Sequence, residues 1–305
     1  MGGPSMEEIE LLVDILNRHP LDSLRKISRE EGMEYYKLKR LYDRYYGRYV
    51  TVNAMFNIRR VGLRSFVAFM NIPRESLKEV GFRITKNPFV GYTNPIFGFK
   101  NGLYSVLHVP DDQRDRIDEL LSRYSDDYEF YGARAYPPSG DDSFGNWNIP
   151  YEYAILIDIL KWDARTPVTE MARKLGKTRP TVRYMINRLR EEGILLGFIA
   201  TIEMNIHDRG VVGLTRELKK EVLEKFRDYE INAGILFNYG YLLEWYFSSK
   251  DDLGSKILEF SSYVEKMGIM YFDETFRELN NRNLKTRCER MVRKDGKGYR
   301  SIMEF

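Results

Sequence analysis

The chain has 305 residues, 43% hydrophobic and 30% charged, so it can bury more than one core and is not a disordered polymer. Its 48 basic residues are nearly matched by 45 acidic ones, and a net charge of +3 leaves any polyanion-binding surface to be found as local clustering. One cysteine, Cys288, and three histidines, His19, His108 and His207, exclude a disulfide framework and a Cys/His zinc cluster at ligand spacing. No run approaches the ~18 apolar residues a membrane helix needs, and the opening MGGPSMEEIE lacks a basic segment followed by an apolar one. A cytoplasmic protein without membrane contact is expected. High charge of both signs, abundant tyrosine and a single glutamine, Gln113, fit a protein from a hot environment.

In chain order, apolar residues at Ile9, Leu12, Val13 and Leu16 predict a helix with one buried face, ended by Pro20. A second helix carries Leu24 and Ile27 and stops at Gly32, and a third carries Leu38, Leu41, Tyr42 and Tyr45. A shift of 144 positions finds the same pattern again at Tyr153, Leu156, Ile157 and Leu160, then Val168 and Met171, then Gly176, then Val182, Met185, Ile186 and Leu189. Each set is followed by a strand-like run, YVTVNAMFNI after the first and ILLGFIATIEM after the second, where Ile194, Leu196, Phe198, Ala200, Ile202 and Met204 alternate. Three helices with a glycine turn and a following strand make each a winged helix-turn-helix unit.

After the first unit the order is a strand (LRSFVAFMNIP), a helix (RESLKEV), a hairpin with Asn101–Gly102 as its turn, a helix bearing Ile117, Leu120 and Leu121, and a strand (YEFYGARAY). That βαββαβ order is ferredoxin-like. After the second unit a hairpin around Tyr239–Gly240, a helix and the strand GIMYFDETF follow. DRGVVGLTRELKKEV, in the place of the opening strand, turns helical, so this second sheet is expected to be short of a strand or rebuilt. The expected fold is α+β: winged units at 6–60 and 151–205, ferredoxin-like domains at 61–136 and 206–280, a Pro/Gly-rich linker at 137–150 and a basic extension at 281–305.

The segment TPVTEMARKLGKTRPTVRYMINRLREEGILLGF resembles the signature of the Lrp/AsnC (feast/famine) transcription regulators, with Gly176, Thr178, Pro180, Thr181, Val182, Arg188, Leu189, Glu192, Gly193, Ile194 and Gly197 at familiar places. The first unit resembles it through spacing. The resemblance implies two such protomers fused in one chain, from an archaeal or bacterial source, acting on double-stranded DNA as an internal pseudo-dimer and recruiting a basal transcription factor. A homodimer through exposed sheet surfaces is a further expectation. The turns at 97–102 and 238–242 lack the aspartate of amino-acid-sensing members, so no amino-acid effector is expected. The same arrangement resembles the sirohaem decarboxylases, which keeps an enzyme reading as the alternative.

Between Arg173 and Arg190 stand seven basic residues and no acid, a clustering that duplex DNA rewards through counterion release. The exposed face of that helix is expected to present Lys177, Thr178, Arg179, Thr181, Arg183, Tyr184, Asn187 and Arg188, where arginine can pair with guanine and asparagine with adenine. The first unit offers Lys37, Lys39, Arg40 and Arg44 in the same role, with Tyr35 and Tyr36 at the positions of Arg179 and Pro180 and available to a protein partner. In the extension, Arg290, Arg293 and Lys294 are candidate partner contacts, and MVRKDGKGYRSIM is expected to form a hairpin around Asp295–Gly296 or to remain a solvated tail. No phosphate loop, nucleophile elbow or metalloprotease motif appears, so neither catalytic residues nor a cofactor or metal is expected. His207–Asp208 reads as a loop ion pair.

Overall fold

The structure, a computed structural model, describes residues 5–138, 143–202, 208–248, 253–295 and 297–305; the expectations placed on Met204, His207 and Gly296 lie outside them. In chain order the elements are α1 (Met6–Arg18), α2 (Leu24–Glu30), α3 (Tyr35–Tyr45), β1 (Val50–Phe56), β2 (Leu63–Asn71), α4 (Leu77–Thr85), β3 (Val90–Gly98), β4 (Gly102–Pro110), α5 (Ile117–Leu121) and β5 (Tyr128–Ala135). Then come α6 (Glu152–Trp162), α7 (Val168–Leu175), α8 (Arg179–Glu191), β6 (Leu195–Ile202), β7 (Arg209–Thr215), α9 (Glu221–Lys225), β8 (Asn232–Leu236), β9 (Gly240–Phe247), α10 (Gly254–Ser261), β10 (Lys266–Tyr271), α11 (Glu274–Leu284) and α12 (Arg287–Met291). They gather into two compact units, Met1–Arg60 with Ile149–Asn205 and Lys294–Gly296, and Val61–Asn148 with Ile206–Arg293 and Lys297–Phe305.

The first unit holds both helical triplets. Ser5 caps α1 by accepting from the Glu8 N–H at 3.3 Å, and Ile9, Leu12, Ile15 and Leu16 bury its inner face. Each triplet carries one wing strand, and the partner of that strand is the other triplet's: β1 and β6 pair antiparallel from Val50 opposite Ile202 to Phe56 opposite Leu195. The ladder is irregular between Met55 and Phe56, and Leu196, skipped there, is 62% exposed rather than facing the core as alternation predicts.

Side chains of the turn between α6 and α7 tie the triplets together. The Arg165 guanidinium donates to the carbonyls of His19 (3.3 Å), Pro20 (2.8 Å) and Asp22 (2.8 Å) and lies over the stacked rings of Tyr42 and Tyr46. Tyr46 donates to Asp163 at 2.5 Å, and Asn53 on β1 donates to the Lys161 carbonyl at 2.8 Å. The carbonyls of the connection between α1 and α2 are thus met by a planar cation, whose fork can reach several acceptors at once.

The second unit is a closed eight-stranded barrel in the order β10-β3-β4-β2-β5-β8-β9-β7. Within it, β5-β2-β4-β3 and β10-β7-β9-β8 are each the strand order of a complete βαββαβ sheet, and the two sheets are joined by β3–β10 and β5–β8 pairing. The expected missing strand is therefore present as β7. RGVVGLT reads as a continuous apolar run because both of its faces are covered, and Val211, Val212 and Leu214 are fully buried, so the period-two signal is erased.

Alternation along β9 separates two cores. Leu242, Glu244 and Tyr246 face the barrel interior, while Leu243, Trp245 and Phe247 face outward and pack with Val222, Phe226 and Phe260 from the covering helices. The first hairpin departs from expectation: the strained glycine is Gly98 (φ 146°), and neither Asn101 nor Gly102 has positive φ, so the Asn–Gly pair is not a type I′ centre. The second hairpin forms between β8 and β9, with the left-handed residue at Asn238 (φ 64°), just before the expected Tyr239–Gly240 centre, and Gly240 already the first residue of β9.

The basic extension is not a loose tail. The segments on either side of the expected turn pair, with Arg300 N–H donating to the Met291 carbonyl at 2.8 Å and Arg293 N–H to that of Gly298 at 3.1 Å. The last residues dock on the barrel through Asn87, which donates to the Ile302 carbonyl at 2.7 Å, and Gln113, which accepts from the Ile302 N–H at 2.8 Å.

Candidate nucleic-acid interface

α7 ends at Gly176, which adopts the left-handed conformation (φ 62°) that lets the chain reverse within two residues into α8. Thr178 then caps α8, its hydroxyl accepting from the Thr181 N–H at 3.3 Å and meeting the Thr181 hydroxyl at 2.8 Å, with Pro180 in the first turn. Val182, Met185 and Leu189 anchor the inner face. The opposite face presents Lys177, Thr178, Arg179, Arg183, Tyr184 and Asn187 to solvent, Tyr184 at 63% exposure. Thr181 and Arg188 are half-buried.

The seven basic residues are not equivalent. Lys177 pairs with Glu152 at 2.8 Å, Lys174 with Glu170 at 3.1 Å and Arg188 with Glu192 at 2.6 Å, and Arg190 lies over the Phe198 ring at 5.4 Å. The Lys177 ammonium beside Glu152 holds that carboxyl below its usual range. Arg173, Arg179 and Arg183 have no carboxylate partner among the described residues. An arginine with no internal partner keeps all its donors for an external anion, whereas a paired one must first break a contact. Arg179 stands in the first turn of α8, where the helix N-terminus adds positive potential, and its guanidinium is exposed.

α3 is built differently. Its N-cap, Glu34, makes no side-chain capping bond. Lys39 pairs with Asp43, and Arg44 pairs with Glu8 at 3.0 Å; Glu8 also accepts from Tyr45, which holds its carboxyl below the usual range. Lys37 and Arg40 are exposed without carboxylate partners among the described residues. Tyr36 is 69% exposed, with its ring edge-on to Tyr35 at 5.5 Å. Of the other candidate partner contacts, Arg293 and Lys294 are exposed, but Arg290 donates to the Asn283 side chain and the Lys86 carbonyl and lies over Phe305, so it serves the fold.

His19, Asp22 and Glu30 bring donor atoms within 4.8 Å of one another, but the Lys26 ammonium lies 2.9 Å from Asp22 and 3.8 Å from Glu30 and supplies the positive charge there. Sequence reasoning did not single out Arg165 as a positioning residue; its partners are backbone carbonyls, which carry no residue-type signal.

A winged helix-turn-helix DNA-binding family matches residues 151–195, which span α6, the turn, α8 and the start of the wing. Among characterised proteins, the HTH-type transcriptional regulators LrpA of Pyrococcus horikoshii and Pyrococcus abyssi are each 36% identical over 93 residues, 28% of this chain and 64% of theirs. The chain is Lrp/AsnC-like. The matched Lrp/AsnC-like segment is the one in which Thr178 caps the helix and the unpaired arginines stand, while α3 lies outside it. Among solved structures, the siroheme decarboxylase NirDL superposes with a TM-score of 0.60 over 91% of this chain and 98% of its own at 16% identity, a likeness of fold. Among the described residues no helix is long and apolar enough to cross a membrane.

Proposed function

We propose that this chain is a sequence-specific DNA-binding transcription regulator in which two winged units, fused and joined through β1–β6, stand in for the two subunits of a dimer. The observation that carries the reading is the exposed α8 face, where Arg179, Arg183 and Asn187 combine phosphate-binding and base-reading groups on a capped helix N-terminus. The matching strand orders of the two half-barrels support the fusion. Because α3 offers only Lys37 and Arg40 without internal partners, the two half-sites are expected to be unequal, α8 reading the stronger one. Fragments retained from a genomic library and then titrated by gel shift at rising salt test this. The reading expects a shared motif and a steep loss of affinity with salt; weak binding indifferent to sequence overturns it.

The fold shared with NirDL over nearly the whole chain favours one second reading, an enzyme acting on sirohaem. A titration with sirohaem followed by visible absorbance separates the two: a saturable shift in the tetrapyrrole bands supports the enzyme, and an unshifted spectrum removes it.

A further inference from the structure

Three cations converge on one cleft of the second unit. It has a volume of about 210 Å³ and is lined by Phe82, Thr85 and Lys86 at the end of α4, by Leu279 and Arg282 of α11, and by Arg290 of α12. On α4 the lining positions are spaced i, i+3 and i+4, so they share one helix face. The walls are held by buried contacts. α11 comes close to α4 at Gly81, where a Cβ would lie 2.4 Å from the Phe276 ring. Asn280 fastens α11 to β3 by accepting from the Thr93 N–H at 3.0 Å and donating to the Thr93 carbonyl at 2.9 Å. Asn283, which also faces the cleft, donates to the Val90 carbonyl at 2.6 Å and accepts from Arg290 at 3.2 Å.

No carboxylate lines this cleft, and Lys86 and Arg282 have no carboxylate partner among the described residues. Both are exposed, and the Lys86 ammonium lies 4.2 Å over the Phe82 ring. Basic residues at helix C-termini offset the helix dipole, and α4 and α11 both end here. Each such end carries about half a negative charge, so two of them leave a surplus against three full positive charges. That surplus favours an anion. Beside the cations stand Phe82, 42% exposed, and half-buried Leu279, apolar surface that an inorganic anion cannot cover and a hydrocarbon body can. A cavity of roughly 150 Å³ holds benzene, so this cleft has room for a body of about six carbons and a carboxylate. An ammonium on the ligand would meet three like charges, which argues against amines and amino acids.

We propose that the cleft between α4, α11 and α12 binds a small organic carboxylate, with Lys86 and Arg282 as the counter-charges, Arg290 as a fixed third cation and Phe82 and Leu279 as the apolar wall.

The site is independent of the DNA reading, and ligand-observed NMR titrations of the full chain test it. The probes are hexanoate, hexanol, hexylamine and inorganic phosphate. Saturable binding of hexanoate is expected, with each of the other three weaker by about tenfold or more. Lys86→Gln combined with Arg282→Gln is expected to lower hexanoate affinity by about tenfold and to leave hexanol unchanged. Phe82→Ala is expected to weaken hexanoate by about threefold and to leave phosphate unchanged. No saturable binding of hexanoate, equal binding of hexylamine or phosphate, or unchanged hexanoate affinity in the double glutamine variant overturns the proposal. So does displacement of hexanoate by a random duplex from a chain carrying Arg179→Ala and Arg183→Ala, which would assign the cleft to phosphate backbone. The four probes are compared on the unaltered chain, so that comparison holds even if a variant misfolds.

Discussion

Alanine at both Arg179 and Arg183 is expected to weaken binding to the target duplex by about 2–6 kcal/mol, since a bidentate arginine contact with a base edge is worth about 1–3 kcal/mol. At ~1.4 kcal/mol per tenfold, that is a loss of at least about 30-fold. The expectation follows from which cations on α8 are engaged within the protein. Arg179 and Arg183 are exposed and have no described carboxylate partner, while Lys177 and Arg188 already neutralise Glu152 and Glu192. Alanine at Lys177 or Arg188 frees an acid beside the interface as well as removing a base, so part of any effect there is repulsion rather than lost contact. Fluorescence anisotropy over a range of salt concentrations separates two roles. If either arginine neutralises a phosphate, the slope of log affinity against log salt flattens by about one per contact removed; if it reads a base, the slope holds and the preference between operator sequences narrows. A double variant that binds with unchanged affinity, slope and preference would remove α8 from the interface.

The amphipathic helices of the first unit were legible because their burial is local and periodic: Ile9, Leu12 and Leu16 are all fully buried, as their spacing demands. The glycine turns were legible for a backbone reason, with Gly32 and Gly176 both at φ 62°. What escaped depends on partners distant in sequence. β7 hides its strand character because helices cover one face and the barrel core the other. The pairing of β1 with β6 leaves no trace in either strand, since each looks like a wing that could complete its own hairpin. The α8 face was legible as a basic cluster, but the division between paired and free arginines was not: Glu152 lies on another helix, 25 positions before Lys177. The inward Glu244 was overlooked because an acid within YLLEWYF reads as the solvent face of a half-exposed strand.

Trp245→Ala is expected to cost about 3–5 kcal/mol, a large part of the roughly 5–15 kcal/mol that holds a typical domain together. Trp245 is fully buried on the outer face of β9, with ring centroids 5.2 Å from Phe226, 5.7 Å from Phe260, 5.4 Å from Phe247 and 5.4 Å from Tyr229. Removing it empties the centre of that cluster, and because its neighbours come from the strand and from both covering segments, no single side chain can move in to close the gap. Trp245→Phe is expected to cost much less, about 1–2 kcal/mol: it keeps an aromatic ring and removes an indole N–H that is buried with no hydrogen-bond partner among the described residues. Urea unfolding followed by circular dichroism gives both values. Equal costs for the two substitutions would place Trp245 outside a packed core.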